Sequence, residues 1–352
     1  MCLEPCASSN CSSEAKSLDQ GQNKSTKFKA QILMALTGIA LITGGAGFIG
    51  SHIAASLVAA GARVRIIDDL STGYRENVAE IAGDVDFVQA SVADEAALRT
   101  ALEDVELVFH EAAIPSVPRS VENPRQTHIA SVEATFSLLL AAKEKRVRRI
   151  VYAASSSAYG DQPTLPKVES MLPEPLSPYA VAKLVGEHYC QVFTRVYGLE
   201  TVSLRYFNVF GPRQDPSSQY SGVISRFIAA LLGGEKPVIY GDGEQSRDFT
   251  YIDNVVDANL KAAESARAVG QVINIANGER ITLNELLAEL KDLTGTPDVI
   301  ADYRDPRAGD VKHSLADISR ARDLLGFEPL VDLRTGLQHT INWWKNSRFA
   351  KA

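Results

Sequence analysis

A chain of 352 residues is long enough to bury one large α/β core and a smaller second lobe. Its formal charge of −7 lacks the dominant basic surface that a nucleic-acid partner requires, and no such partner is expected. Of its four cysteines, Cys2, Cys6 and Cys11 crowd a polar N-terminal stretch and only Cys190 lies in the body, which excludes a disulfide framework and suits a reducing, cytoplasmic setting.

Taken in chain order, residues 1–33 read as a disordered N-terminal extension rich in Ser, Asn and Lys, with Met34 a natural start just ahead of the first strand pattern. No histidine accompanies the three cysteines there, and no metal site is expected. From Ala30 to Ala62 no charged residue occurs, a length that would suit a membrane span. Gly44, Gly45, Gly47 and Gly50 break the run in its middle, and no signal-peptide pattern precedes it. A buried strand, a glycine turn and a buried helix explain the same composition, so no membrane partner is expected.

Strands are predicted at Ile39–Thr43, Val64–Asp68, Phe87–Gln89, Leu107–His110, Ile150–Ala153 and Thr201–Tyr206. Helices are predicted at Ser51–Ala60, closed by Gly61, at about Gln126–Lys145, and at Tyr179–Tyr197, closed by Gly198. Such alternation predicts a doubly wound parallel sheet of the Rossmann type. Asp161–Pro178 holds five prolines and reads as a long loop over the site, with Ser177 as N-cap and Pro178 at the first helical position. Beyond Tyr206 the alternation weakens into loops rich in Gly, Pro, Arg and Asp, as expected of a smaller α/β substrate-binding lobe.

The segment Thr43–Gly50 sets Gly44, Gly47 and Gly50 between a strand and an uncharged helix start. Gly44 permits the tight turn, Gly47 lets backbone approach a pyrophosphate, and Gly50 allows close packing of helix on strand. The helix start aims unsatisfied N–H groups at the phosphates. Gly45-x-Gly47-x-x-Gly50 fits the same residues, so both spacings stay open. Asp68 ends the second predicted strand, 24 positions after Gly44, where a carboxylate accepts both ribose hydroxyls and repels a 2′-phosphate. NAD is therefore the expected cofactor, held by an NAD-binding domain over residues 34–205 with a returning segment near 237–265. Residues 206–350 form mainly the substrate lobe.

Tyr179-Ala-Val-Ala-Lys183 places a phenol and an ammonium on one face of a helix. A neighbouring cation lowers the proton affinity of a phenol whose ordinary pKa of about 10 makes it a poor base. Such a pair alone also arises by chance on surface helices. Ser155, leaving a buried strand at the sheet's ligand-binding edge, supplies a third group able to relay a proton to Tyr179. No metal is required.

Together with Asp68, the segments Thr43–Gly50, His110–Ala113, Ser155–Gly160, Tyr179–Lys183, Leu204–Asn208, Gly241–Tyr251 and Arg307–Asp310 resemble the UDP-hexose 4-epimerase branch of the extended short-chain dehydrogenase/reductases. The resemblance covers about Leu36 to Trp344 and is nearest the bacterial UDP-N-acetylglucosamine 4-epimerases of surface-polysaccharide synthesis. It implies a tightly held NAD contacted by Gly44, Gly47, Phe48, Ile49, Gly50, Asp68, Ser91, Val92, Tyr179 and Lys183. It makes Ser155, Tyr179 and Lys183 the catalytic residues. Related dehydratases and decarboxylases carry carboxylates just after the catalytic serine or threonine, whereas this chain has Ser156 and Ser157.

For the UDP-sugar substrate the resemblance implies contacts from Ser116, Val117, Ser156, Asn208, Val223, Tyr240, Arg247, Arg307, Asp310 and Ser314. Asn208 and the two arginines meet the diphosphate, Asp310 the uridine ribose and Tyr240 the uracil. Ser314 matches a size gate where a tyrosine excludes N-acetylated sugars, so UDP-GlcNAc and UDP-GalNAc are expected substrates, with UDP-Glc and UDP-Gal beside them. A uronate epimerase, another nucleotide-sugar epimerase or dehydratase and, more distantly, a non-catalytic NAD-binding module stay open. Ser91 stands where the family has an Asp near adenine, and Ser131 where an Asn lines the cofactor site. A homodimer through the helices near Gln126–Lys145 and Tyr179–Tyr197 is implied as well.

Overall fold

In this computed structural model, which describes residues 36–215, 222–306 and 311–347, the first half of the chain alternates strands with helices. The strands are β1 (Ile39–Thr43), β2 (Val64–Ile67), β3 (Val85–Val88), β4 (Val105–His110), β5 (Arg149–Ser155) and β6 (Glu200–Tyr206). Between them run α1 (Phe48–Ala59), α2 (Glu95–Ala101), α3 (Val117–Glu122), α4 and α5 (Pro178–Tyr197). α4 is built from Pro124–His128, a π-helical turn at Ile129–Glu133, and Ala134–Glu144.

The second half holds β7 (Val209–Phe210), α6 (Val223–Gly233), β8 (Val238–Tyr240), β9 (Ser246–Arg247), β10 (Thr250–Tyr251) and α7 (Ile252–Glu264). It continues with β11 (Val272–Ile275), β12 (Ile281–Thr282), α8 (Leu283–Thr294), β13 (Asp302–Arg304), α9 (Ser319–Leu325) and α10 (Leu333–Asn346).

Seven parallel strands make the central sheet in the order β11-β6-β5-β4-β1-β2-β3. The order reverses between β1 and β4, and ligands of such sheets bind in the crevice at the strand ends there. Alternate residues of each strand feed two cores. Ala40, Ile42, Ile66, Phe109 and Leu204 pack with α1 and α7 on one face. Leu41, Ile67, Val108, Ile150 and Tyr152 pack with α2, α4 and α5 on the other. Burial on both faces explains why these strands read as unbroken apolar runs.

The six predicted strands are all present, with ends moved by no more than two residues. β11 was not anticipated: four residues without alternation give no period to read, and its place beside β6 comes from pairing with residues far away in the chain. α1 begins at Phe48 rather than Ser51, because the glycine turn leads straight into helix. The described part of the uncharged run is β1, that turn and α1, which at 12 residues is about 18 Å long. Among the described residues no helix is long and apolar enough to cross a membrane.

A side-chain back-bond accompanies the π-helical turn in α4. The Thr135 hydroxyl donates to the Ser131 carbonyl at 2.6 Å, a back-bond that competes with the helix's own ladder. α5 matches its expected caps: Ser177 Oγ accepts the Ala180 N–H at 3.2 Å, Pro178 occupies the first turn, and Gly198 closes the helix at φ 73°.

Smaller ladders join segments far apart in sequence: β7 with β10, β9 with β12, and β8 with β13. The five-proline loop is fastened to the same region, where the Lys167 N–H bonds the Leu315 carbonyl at 2.8 Å.

Candidate active site

A cavity of about 910 Å³ runs along the strand ends from the glycine turn to the small ladders of the second half. Gly44 sits at φ 67°, and a Cβ there would lie 2.8 Å from the backbone of Ala112. A Cβ at Gly50 would lie 2.3 Å from the Gly44 carbonyl oxygen. Gly47 is the N-cap of α1 and has no side-chain cap, nor is there an acidic residue in the first turn. The orphan N–H groups of this helix, with Phe48 and Ile49, therefore belong to the cavity wall and suit an anion.

Asp68, just past β2, is buried yet lines the cavity. Its Oδ2 accepts the Ala46 N–H at 2.9 Å and its Oδ1 the Leu70 N–H at 2.8 Å, so it also fastens the glycine turn. Burial raises its pKa, while these backbone N–H groups oppose the rise. Ser91 and Val92, after β3, lie on the same wall. Ser91 Oγ accepts the Ala93 N–H at 3.2 Å. Ser131 is buried in the π-helical turn, where its hydroxyl has no partner among the described residues, and Ala130 and Ala134 reach the wall.

Ser155 ends β5. Its Oγ accepts both the Ser157 N–H at 3.2 Å and the Ser157 hydroxyl at 2.8 Å, which leaves its own proton free for a third partner. Tyr179 lines the same cavity. Burial raises the Tyr179 pKa and the Ser155 hydroxyl opposes the rise. Lys183 lies one turn further along α5, buried behind Tyr179 rather than on the wall, and donates to the Ala153 carbonyl at 2.8 Å. Burial lowers the Lys183 pKa to about 8, against the pull of Glu111.

A third residue of this helix face, Glu187, anchors the set. Its carboxylate takes two N–H bonds from Arg205 of β6, at 2.9 and 2.7 Å, with both side chains buried. The Arg205 guanidinium also lies 4.6 Å above the ring of Tyr159, in the turn after Ser155. One ion pair thus ties α5, β6 and the serine turn together. Gly186 lets α5 settle onto β5, since a Cβ there would lie 2.2 Å from the Tyr152 hydroxyl.

On the other side of the cavity, Asn208 stands at φ 34° with its amide on the Asp248 carbonyl at 2.8 Å and 3.5 Å from Ser314 Oγ. The Ser314 N–H bonds the Ser246 carbonyl at 3.0 Å, and the Arg247 guanidinium spans the Ser246 and Lys312 carbonyls at 3.0 and 3.1 Å. Asp248 is fully buried and accepts N–H bonds from Asn277, Gly278 and Ala316, yet burial still pushes its pKa up to about 7. Ser116 caps α3 through the Arg119 N–H at 3.2 Å. Val117, Ser156, Val223 and Tyr240 complete this wall. Every described site residue singled out from the sequence, except Lys183 and Ser131, thus lines one cavity. Arg307 and Asp310 lie outside the described residues, as do residues 1–33 and Met34.

The profile of the NAD dependent epimerase/dehydratase family matches residues 40–276. The chain belongs to that family. It is 40% identical over 309 residues to a protein of Methanocaldococcus jannaschii named putative UDP-glucose 4-epimerase, covering 87% of this chain and 98% of the relative. Among solved structures it is 42% identical to UDP-N-acetylglucosamine 4-epimerase from Methanobrevibacter ruminantium, with a TM-score of 0.84 and coverage of 88% and 98%. UDP-glucuronic acid 4-epimerase from Bacillus cereus, solved with UDP-glucuronic acid and NAD, is 33% identical at a TM-score of 0.81, with coverage of 88% and 99%.

NAD is the family's cofactor, and this member has the cradle for it. The approach of Gly44 and Gly50 to backbone leaves no room for a side chain, and the uncapped start of α1 offers donors to a diphosphate. Two wall residues gave no sequence signal of their own. Glu111 was legible only as part of the His110–Ala113 match, and Lys167 lay hidden in a proline-rich loop. Only the folded chain brings Glu111 within 2.9 Å of the Tyr206 hydroxyl.

Proposed function

We propose that this epimerase-family member interconverts UDP-GlcNAc and UDP-GalNAc at C4 of the hexose, with UDP-Glc and UDP-Gal as a second pair. The observation that carries the reaction class is the meeting of Ser155 and Tyr179 on one cavity wall, with Ser156 and Ser157 rather than carboxylates following the serine. The carboxylate that the resemblance assigns to dehydratases and decarboxylases directly after the serine is missing from this chain, which supports oxidation and reduction without elimination. The names of the three relatives given above, each a UDP-sugar 4-epimerase, support the same class. The small side chain of Ser314 beside Asn208 supports room for an N-acetyl group.

In this reading the residues after β1, β2 and β3 hold the cofactor, and the lobe from 206 onward holds the nucleotide. Ser155 takes the C4 hydroxyl proton and passes its own to Tyr179, while Lys183 favours the phenolate. Gly44, Gly47, Gly50 and Asp68 would hold NAD, which when bound would supply reversible hydride transfer at C4. Asn208 and Arg247, with Arg307, keep the diphosphate fixed while the keto sugar turns over. Tyr240 and Asp310 serve the uridine. Lys183 must stay protonated for this, so activity is expected to fall as pH rises through the region near 8.

A homodimer is part of the reading. Phe136 and Leu140 of α4 and Val181, Val192 and Val196 of α5 are exposed apolar side chains on the two helices that a second copy would cover. A cytoplasmic place fits the substrate and the free thiol of Cys190.

The test is to incubate the purified protein with UDP-GlcNAc, without added NAD, and follow UDP-GalNAc by NMR. Conversion is the expected result. Conversion of a UDP-uronate or of UDP-Glc alone would overturn the sugar, and release of a dehydrated product would overturn the reaction class.

A further inference from the structure

Glu111 is a half-buried carboxyl for which the cycle above has no use. It follows His110 at the exit of β4 and lines the cavity. Its Oε1 accepts the Tyr206 hydroxyl at 2.9 Å. The Asn259 amide of α7 sits on that same hydroxyl, its Nδ2 donating at 2.9 Å and its Oδ1 a second acceptor at 3.1 Å, so Glu111 is the nearer of two acceptors for the phenol's single proton. The parallel register sets His110 of β4 beside Tyr152 of β5, so Glu111 leaves the sheet next to Ala153. The Ala153 carbonyl holds Lys183 Nζ at 2.8 Å, and Tyr179 lines the same cavity. The Glu111 charge acts on both groups of α5.

His110, its chain neighbour, adds no charge. Thr135 spends its proton on the Ser131 carbonyl, so it can only accept from His110 Nε2, at 2.9 Å. His110 Nδ1 then accepts from Thr43 at 2.7 Å, the neutral tautomer that burial favours.

We propose that Glu111 is a positioning residue: its carboxyl, seated on the Tyr206 hydroxyl and facing the Tyr179–Lys183 pair, sets the pH window in which Tyr179 acts as base. The proposal rests on the reading of Tyr179 as that base. Physically, an ionised Glu111 makes both partners hold their protons more tightly. Tyr179 then reaches its phenolate at a higher pH, and Lys183 keeps its cation to a higher pH. Burial pushes Glu111 itself up to about 7, against the Tyr206 hydrogen bond and the Lys183 charge, which places its own ionisation inside the working range. Removing its charge must therefore move both limbs of the activity profile the same way, toward acid.

The experiment is kcat/KM against pH for wild type, E111Q, E111D and Y206F, with the absorbance of tyrosinate titrated in parallel against a Y179F reference. E111Q is expected to move both limbs down by about one pH unit and to bring the Tyr179 absorbance step down with them. E111D, which keeps the charge, holds the wild-type window. Y206F removes the bond that steadies the carboxylate, so Glu111 stays protonated to higher pH and the window moves the same way by less. A lower amplitude with unmoved limbs would mark a merely structural role and overturn the proposal. If E111Q does not fold, unmoved limbs in Y206F overturn it equally. Wild-type turnover in Y179F would instead remove the base reading, and this inference with it.

Discussion

The two walls of the cavity are built on different principles. Around the glycine turn the wall is backbone: Gly44, Gly47 and Gly50 are fixed by close approach, and Asp68 is held by main-chain N–H groups. Around Asn208, Arg247 and Ser314 the wall is side chain, mounted on two-residue ladders and isolated pairings between distant segments. A backbone site tolerates no substitution at its contact points but leaves the same shape for every substrate. A side-chain site can change what it accepts by one residue. In the proposed reading the cofactor half is therefore the fixed part and the sugar half the adjustable one.

Tyr179 stands where the halves meet, and its loss gives the largest expected effect. Y179F removes the proton acceptor while keeping the ring, and kcat is expected to fall by about 10² to 10⁴. Bound NAD, measured on the purified protein, should stay at the wild-type level, since the glycine turn is untouched. A Y179F protein that lost its NAD would break the division between the halves, because the phenol's contact with the cofactor would then carry as much of the binding as the glycine turn.

The second prediction sharpens the fixed half. G44A puts a Cβ at φ 67°, costing about 1–2 kcal/mol of backbone strain, and sets it 2.8 Å from Ala112 backbone that no rotamer change can move. Retention of NAD through gel filtration is expected to weaken by about tenfold or more. Added NAD should restore part of the turnover with the sugar preference unchanged. A changed preference would show the walls to be coupled.

The same contrast explains what the sequence disclosed. The cofactor half lies in short consecutive stretches, and its constraints are backbone ones, so Gly44, Gly47, Gly50 and Asp68 stand at spacings that a reader can check against the geometry of one turn. Ser155, Tyr179 and Lys183 were legible because a strand end and a helix face fix where side chains point. The strands were legible as apolar runs for the same reason, burial on both faces. Ser314 is different. Nothing in its own neighbourhood marks it, and it reaches Asn208, 106 residues away, through pairing of its segment with the Ser246–Asp248 stretch, so resemblance was the sole route to it. Glu111 and Tyr206, 95 residues apart, meet across the end of β5 and had no local signal to be found.

The smallest expected effect belongs to the adjustable half, and it is the most informative about the sugar. S314Y fills the space beside Asn208 with a phenol ring while leaving the backbone N–H of position 314 free to keep its bond to the Ser246 carbonyl at 3.0 Å. The ladder should hold, and the thermal midpoint should move little. If the space beside Asn208 receives the substituent on C2, kcat/KM for UDP-GlcNAc falls about tenfold, of the order seen when a pocket loses room for one small group, and that for UDP-Glc holds or rises. Equal losses on both sugars would mean that the introduced ring disturbs Asn208 and the diphosphate instead. The ratio of the two substrates, rather than either rate alone, separates a gate from a damaged wall, because damage to the shared nucleotide contacts cancels in the ratio and loss of room for the N-acetyl group does not.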